Sequence, residues 1–393
     1  MHQRIQIRPP RIWTLRHRSM PAVILLLGLG FFIFALASLA TPAQAAPAYQ
    51  DDKPSNDFCL ACHQEEGIDI TLGSESLPVT INPTQFGESV HSAEGIACVD
   101  CHTNISEYPH PDVKAKSIRA FSLALVDSCK ECHEEQYLKA QDSVHQAAMD
   151  AGNERAPICS DCHNPHTQPR LIGQESGKLS ISARKEVPAT CAQCHAETYD
   201  QYKNSVHGSA LADGNMDVPT CTDCHGVHNI DDPTTASFRN NTPALCADCH
   251  DDPAIMDKYG LSTQVTETYV ADFHGTTVKL FEEQFPGQET NKAVCSDCHG
   301  VHDIAKVDNA ETGIALRENL LIKCQRCHPD ATANFPDTWM SHYQPSPEHF
   351  PIVYYVNLFY KFFIPAVLGG MIFFILTDIY RRIVNRMKGA KRA

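Results

Sequence analysis

Basic residues are scarce in the central part of this 393-residue chain. Residues 46–351 contain 20 Lys and Arg against 46 Asp and Glu, which gives a formal charge near −26. Proteins that bind nucleic acid neutralise its phosphates with Lys and Arg, so this composition argues against such a role. An acidic surface keeps a protein soluble, and it can also steer a basic partner towards it.

No cysteine is left over for a disulfide, a zinc ribbon or a thiol nucleophile. All 18 cysteines lie in nine Cys-x-x-Cys-His pentapeptides. The cysteines are Cys59, Cys62, Cys98, Cys101, Cys129, Cys132, Cys159, Cys162, Cys191, Cys194, Cys221, Cys224, Cys246, Cys249, Cys295, Cys298, Cys324 and Cys327. The histidines that end the pentapeptides are His63, His102, His133, His163, His195, His225, His250, His299 and His328.

The pentapeptide is the attachment site of c-type haem. Its two thiols form thioether bonds with the haem vinyl groups, and its histidine becomes the proximal ligand of the iron. A single match can also be half of a zinc site or a redox dithiol, but zinc sites do not require a histidine directly after the second cysteine. Nine such histidines predict nine covalently bound haem c groups. Haems then fill much of the interior, so we expect short helices, few strands and a small aliphatic core.

Part of the chain is an internal repeat. Residues 129–166 and 191–228 align at a constant offset of 62 without a gap. Each copy has two pentapeptides, a middle histidine in a Ser-Val-His tripeptide, and a trailing histidine three residues after the second pentapeptide. The repeat unit is therefore a two-haem module. The modules are predicted at about 57–112, 127–168, 189–230 and 244–304, with a half-module at 322–349.

Haem iron has a second axial position, and ten histidines are candidates for it. They are His91, His110, His145, His166, His207, His228, His274, His302, His342 and His349. All ten occupy middle or trailing positions. Methionine is the main competing ligand, but residues 46–351 contain only Met149, Met216, Met256 and Met340, and the first two are not equivalent in the repeat.

Ten candidates for nine irons permit bis-histidine ligation throughout, with one histidine to spare. Bis-histidine haems generally have lower potentials than His/Met haems. His110 and His349 are the candidates for the spare. The sequence does not assign distal histidines to haems. A trailing histidine three residues after a proximal one cannot reach the other face of the same iron, so we expect it to serve a neighbouring haem.

Both ends of the chain contain apolar segments. Residues 1–45 have a basic start, an apolar run and an Ala-Gln-Ala cleavage site, typical of a signal peptide; an uncleaved membrane anchor is the alternative. Residues 352–378 are long enough to form a transmembrane helix. Six Lys and Arg in residues 379–393 predict a cytoplasmic C-terminus by the positive-inside rule. The ectodomain, residues 46–351, would then lie in the periplasm or another extracytoplasmic space.

With its nine pentapeptides and its Cys-His-Gly-x-His segments at 224–228 and 298–302, the chain resembles periplasmic multihaem c-type cytochromes of the broad cytochrome c3 and NapC/NirT-like group. The resemblance implies electron transfer along closely packed haems, with a quinol pool or a quinol-linked cytochrome b as donor. NapC/NirT-like proteins are tetrahaem and have an N-terminal anchor, whereas this chain has nine sites and a C-terminal apolar segment.

The sequence thus predicts a mainly α, haem-packed ectodomain with extensive loops and one C-terminal transmembrane helix. It predicts an electron carrier of anaerobic respiration between a quinol-linked membrane partner and other c-type cytochromes or periplasmic reductases. No catalytic residue is predicted, since the Cys-x-x-Cys-Lys variant typical of nitrite reductases does not occur. The alternatives are a terminal reductase or oxidase of a small nitrogen or sulfur compound at a five-coordinate haem, and a subunit of a multi-cytochrome conduit.

Overall fold

The computed structural model describes residues 53–174, 176–339 and 341–390. The predicted signal peptide at residues 1–45 lies outside the described residues. Residues Ser55–Ala393 form one compact unit. It is mainly helical with extensive loops, which confirms the predicted fold class.

Short helices follow one another along the chain. Those up to residue 174 are α1 (Asn56–His63), α2 (Pro83–Gly87), α3 (Val90–Ala93), α4 (Cys98–Cys101), α5 (Ile118–Ala124), α6 (Val126–Lys130), α7 (Glu134–Gln141), α8 (Val144–Asp150) and α9 (Cys159–Cys162). Those beyond it are α10 (Ile181–Ala192), α11 (Ala196–Lys203), α12 (Val206–Ala212), α13 (Cys221–His225), α14 (Ala236–His250), α15 (Pro253–Met256), α16 (Val265–Ala271), α17 (Phe273–Gln284), α18 (Cys295–His299), α19 (Arg317–Gln325) and α20 (Pro351–Ala390). Two 3₁₀ turns lie at Asp257–Tyr259 and Phe335–Thr338.

Strands are few among the described residues. Strand β1 (Asp69–Leu72) and strand β2 (Glu75–Pro78) form an antiparallel hairpin in which Ile70 faces Leu77. Gly73 in its turn has a φ of +65°, and a Cβ there would lie 2.1 Å from the Lys116 carbonyl oxygen, so only glycine fits. The hairpin is an insertion of the first module and is not repeated in the later ones.

The aliphatic core is small, as the haem count predicts. The buried hydrophobic side chains are Leu72, Phe86, Ala156, Ala183, Leu211, Met256, Tyr269, Val278, Val294 and Ala331. Such a core is small for a chain of this length, because a domain normally buries most of its apolar surface against itself. This small core among the described residues fits the expectation that haem groups complete the interior.

The sequence repeat is also a structural repeat. Helices α7 and α11 begin and end at equivalent residues, and so do α8 and α12. Ser143 and Ser205 are buried N-caps: their hydroxyls accept the backbone N–H of Gln146 and of Gly208 at 3.1 Å. Each cap places the middle histidine in the second position of its helix.

Neighbouring modules are joined at these caps. The residue after each capping serine donates its backbone N–H, at 2.8 Å, to a carbonyl two residues beyond the trailing histidine of the next module. The pairs are Val90 with Gln168, Val144 with Ile230, and Val206 with Ile304. The middle histidine of one module therefore lies beside the trailing segment of the next.

Helix α20 is the one candidate membrane span among the described residues. It is 40 residues long, and the side chains of its apolar part are not buried against the rest of the chain. At 1.5 Å per residue, the apolar segment at 352–378 would measure about 40 Å, enough to cross a hydrocarbon core of about 30 Å with some tilt. Asp378 ends this segment in ion pairs with Arg381 at 2.8 Å and Arg382 at 2.6 Å.

Candidate haem sites

We number the nine pentapeptides as sites 1 to 9 in chain order. At the second site of each module, the pentapeptide is a short helix held by an internal aspartate. The carboxylates of Asp161, Asp223 and Asp297 accept the backbone N–H of the residue before the first cysteine at 2.6–2.7 Å, and Asp100 does so at 2.9 Å. This bond closes the turn that contains both cysteines of the pentapeptide.

Every proximal histidine faces one of the ten candidate distal histidines. The ring centres of the nine pairs are 6.0–6.4 Å apart. In site order the pairs are His63 with His110, His102 with His166, His133 with His91, His163 with His228, His195 with His145, His225 with His302, His250 with His207, His299 with His342, and His328 with His274.

This separation fits one iron between two imidazoles. A histidine nitrogen lies about 2.0 Å from a bound transition metal and its ring centre roughly 1.1 Å further out, so two opposite imidazoles have centres about 6.2 Å apart. Direct ring stacking would bring the centres closer. No group of three or more His, Cys, Asp and Glu side chains among the described residues has metal-binding spacing. The facing imidazoles are the donor set that two axial ligands of one haem iron would supply.

The pairing crosses module boundaries. From the second module on, the first site pairs with the middle histidine of the preceding module. The second site of each module pairs with the trailing histidine of the next, and site 8 takes His342 of the half-module. Site 1, which has no module before it, pairs with His110 of its own module. Two imidazole pairs thus join each module to its neighbour.

His349 is the candidate that faces no proximal histidine. Its ring contacts Tyr343 with 4.4 Å between centres. The sequence left His110 and His349 as alternatives for the spare position, and the structure places His110 at site 1, with 6.0 Å between ring centres.

Several paired rings are oriented by hydrogen bonds at Nδ1, which leave Nε2 for the iron. His63 Nδ1 lies 3.0 Å from the Val79 carbonyl, and His91 Nδ1 lies 2.9 Å from the Pro165 carbonyl. His274 Nδ1 differs, because it lies 2.9 Å from the Asp272 carboxylate. Such partners fix both the tautomer and the ring orientation of a ligating histidine.

Burial favours the neutral, metal-binding form of the rings. It lowers the pKa of His207 to about 4, together with the facing His250. It lowers the pKa of His299 to about 4 as well, with His342 as the main neighbouring charge. An imidazole must be unprotonated to bind a metal, so both rings are in the binding form at neutral pH.

Cysteines of consecutive sites lie close together. Within modules, the first cysteines of the two sites interact: burial and the Cys59 thiol raise the pKa of Cys98 to about 11, and a hydrogen bond with Cys159 and burial raise that of Cys129. Between modules, burial and neighbouring thiols, Cys191 first, raise the pKa of Cys162 to about 11. The same contacts recur at Cys191–Cys221, Cys246–Cys295, Cys101–Cys132, Cys224–Cys246 and Cys298–Cys324. Each pentapeptide from site 1 to site 8 thus has a cysteine that interacts with one of the next pentapeptide, and we call this succession of sites the row.

Three arginine–aspartate pairs support the second sites and were missed from the sequence. The guanidinium groups of Arg119, Arg184 and Arg239 bind the pentapeptide aspartates at 2.7, 2.9 and 2.6 Å. They also bind carbonyls just before those pentapeptides. A signal was present, because Arg184 and Arg239 each lie seven residues before a first-site cysteine.

Comparisons with known proteins bear on the class of protein. Residues 90–176 match the family model of cytochrome c3, and residues 212–255 match that of the doubled CXXCH motif. With the pentapeptides, these matches identify the chain as a multihaem c-type cytochrome, a haem-binding electron-transfer protein. Among curated proteins it is similar to cytochrome c-type protein NrfB of Haemophilus influenzae, with 23% identity over 189 residues, 46% of this chain and 69% of that protein. No solved structure matches it significantly.

Proposed function

We propose that the chain is a nonahaem, membrane-anchored electron carrier. The observation that carries the proposal is that all nine proximal imidazoles face a distal imidazole at 6.0–6.4 Å. Bound haems would supply one-electron chemistry. The cysteines hold each haem, the proximal histidines and the nine paired distal ones hold its iron, and the module joints hold neighbouring sites in a row.

Electrons would travel along that row between its two ends. The row ends near α20, since His342, which pairs at site 8, lies nine residues before Pro351. A quinol pool or a quinol-linked membrane cytochrome b is our proposed donor at site 9, the last haem site, with α20 as a single-pass anchor in the cytoplasmic membrane. The basic residues after the span support a cytoplasmic C-terminus and an ectodomain in the periplasm.

The first module is the proposed exit. Residues 54–112 contain ten Asp and Glu and no Lys or Arg. Beside the site 1 pentapeptide, the exposed rings of Phe58 and Tyr108 meet edge to face, with centres 5.7 Å apart. A basic c-type cytochrome or periplasmic reductase is the acceptor that this charge favours. Its reduction should slow as ionic strength rises, because salt screens the attraction.

The pairing also bears on the alternative of a terminal reductase or oxidase. An enzyme of that class needs an iron with one open axial position. Each of the nine proximal histidines has an imidazole opposite it, which favours the carrier. A haem count by pyridine haemochrome, with electron paramagnetic resonance of the oxidised protein, tests this. Nine haems with only low-spin signals are expected, while a lower count or a high-spin haem in the native protein would contradict the proposal.

The entry point has a separate test. In membranes that contain the full chain, His328→Ala should abolish reduction by quinol, while dithionite still reduces the other haems. Quinol-linked reduction that persists would place the entry elsewhere. Copurification of other cytochromes from gently solubilised membranes tests the conduit alternative.

A further inference from the structure

The fourth module differs from the other three at the residue two positions before its middle histidine. That residue is Ser89, Ser143 or Ser205 in the first three modules and Asp272 in the fourth. The serine hydroxyls accept a backbone N–H of their helices at 3.1–3.2 Å. Asp272 also caps its helix, α17, but its Oδ1 accepts the backbone N–H two residues on, that of His274, at 2.9 Å, whereas each serine binds the N–H three residues on.

The Asp272 carboxylate also contacts the side chain of the middle histidine, which among the described residues none of the three capping serines does. Its Oδ1 lies 2.9 Å from Nδ1 of His274. The corresponding partner of His91 in the first module is a neutral carbonyl, that of Pro165. The Asp272 and His274 side chains are about one-third exposed, and Trp339 packs near the His274 ring with 6.4 Å between centres. The carboxylate is thus held on the ring nitrogen that faces away from the iron position.

A carboxylate on the outer nitrogen of a ligating histidine makes the ring a stronger electron donor. A stronger donor stabilises the oxidised iron more than the reduced iron, so it lowers the reduction potential. Hydrogen bonding around the axial ligands is one of the factors through which a protein sets the reduction potential of a haem. The Asp272 contact acts on site 9, because His274 faces His328 with 6.3 Å between ring centres.

We propose that Asp272 is a positioning residue that lowers the potential of the haem at Cys324, Cys327 and His328. This rests on the proposed function, in which His274 and His328 ligate that iron. The haem next to the membrane end is then a low-potential member of the row. Electrons that enter there have a downhill step towards site 8, which favours flow away from the membrane.

The test is a pair of reciprocal substitutions in the full-length, haem-loaded protein. Asp272→Ser restores the residue of the other modules and keeps the cap, and Ser205→Asp introduces the carboxylate beside His207. Spectroelectrochemical titration should show one haem shifted upwards in the first variant and one shifted downwards in the second. A tenfold change in the oxidised-to-reduced ratio corresponds to about 59 mV for a one-electron couple, and we expect a shift of about that size.

Asp272→Asn keeps the shape and removes the charge, so its shift should have the same direction as that of Asp272→Ser and be smaller. Unchanged potentials in both Asp272 variants, with nine haems and low-spin spectra retained, would overturn the proposal. Failure of the proposed function has a different signature. His274→Ala should produce one high-spin haem, and if it does not, the ligand assignment itself is wrong.

Discussion

The third and fourth modules have the same separation between paired histidines, although the chain segment before the middle histidine differs in length. The first-site histidine and the middle histidine are 12 residues apart in the third module and 24 in the fourth. Their middle histidines nevertheless face the next first site at 6.4 and 6.3 Å. The inserted residues include α15 and the 3₁₀ turn, whereas α16 carries Tyr269, the counterpart of Tyr202 in α11. Insertions are therefore tolerated where they leave the histidine pair in place.

A small set of contacts is kept in both modules. Tyr202 and Tyr269 donate their hydroxyls to the carbonyls of Pro219 and Ala293, at 2.7 and 2.8 Å. Six residues after each tyrosine comes a glycine, Gly208 or Gly275, directly behind the middle histidine. Each tyrosine thus ties the middle histidine helix to the segment before the second site. The second module has Ala140 and Gln146 at these positions, so the tie is not part of every module.

The largest effect is expected from removing a paired histidine. His207→Ala should leave the site 7 iron with one protein ligand, because His207 faces His250. About one haem in nine should become high-spin in electron paramagnetic resonance. His349→Ala is the matched control, since His349 faces no proximal histidine, and its spectrum should stay low-spin. A high-spin signal in the His349 variant, with none in the His207 variant, would mean that His349 is a distal ligand and His207 is the spare histidine.

The next effect tests the tyrosine–glycine tie. A Cβ at Gly208 would lie 2.0 Å from the Tyr202 carbonyl oxygen, and one at Gly275 equally close to that of Tyr269. These are backbone contacts that no rotamer change relieves, so each Gly→Ala variant should lose about 1–3 kcal/mol of stability. The equivalent change in the second module, Gln146→Ala, should shift stability by less than about 0.5 kcal/mol. Thermal unfolding of the haem-loaded protein measures the stability of all three variants. A loss in Gln146→Ala as large as the losses in the two glycine variants would show that the close backbone contact at Gly208 and Gly275 is not the cause.

A third effect concerns the arginine that supports the second site. Arg184 is only 18% exposed and binds Asp223 and the Val218 carbonyl. Arg184→Ala should cost about 1–3 kcal/mol, because it removes a charge-assisted hydrogen bond to Asp223 and takes away the guanidinium donor of the Val218 carbonyl. Lys203 pairs with Asp200 on the surface, and Lys203→Ala should leave the unfolding temperature unchanged, as for most exposed ion pairs. Equal losses in both variants would mean that Arg184 has no special role.

Much of the site could be predicted from the sequence. The nine pentapeptides, the ten distal candidates and the gapless repeat follow from residue types at fixed spacing. The pairing could not be predicted, because a distal histidine lies 42 or more residues from its partner and spacing says nothing about which modules touch. The Arg184–Asp223 contact was missed for the same reason. The module boundaries at 57–112 and onward stay predictions.

The smallest effect isolates one hydroxyl. Tyr202→Phe removes the hydrogen bond to the Pro219 carbonyl and should cost about 1 kcal/mol. Tyr199→Phe should cost less, since among the described residues the Tyr199 hydroxyl makes no hydrogen bond and Lys203 Nζ lies 5.7 Å from its ring centre. The two variants should also differ with pH. Burial raises the pKa of Tyr202 above its ordinary value, so the folded state keeps that proton longer than the unfolded state. The contribution of the protonated Tyr202 phenol to the free energy of unfolding is then complete below about pH 10 and declines above that pH. Denaturant unfolding between pH 8 and 11 should show that the free energy of unfolding falls more steeply for the native protein than for Tyr202→Phe. Parallel curves for the two proteins would mean that the Tyr202 hydroxyl is exposed to water.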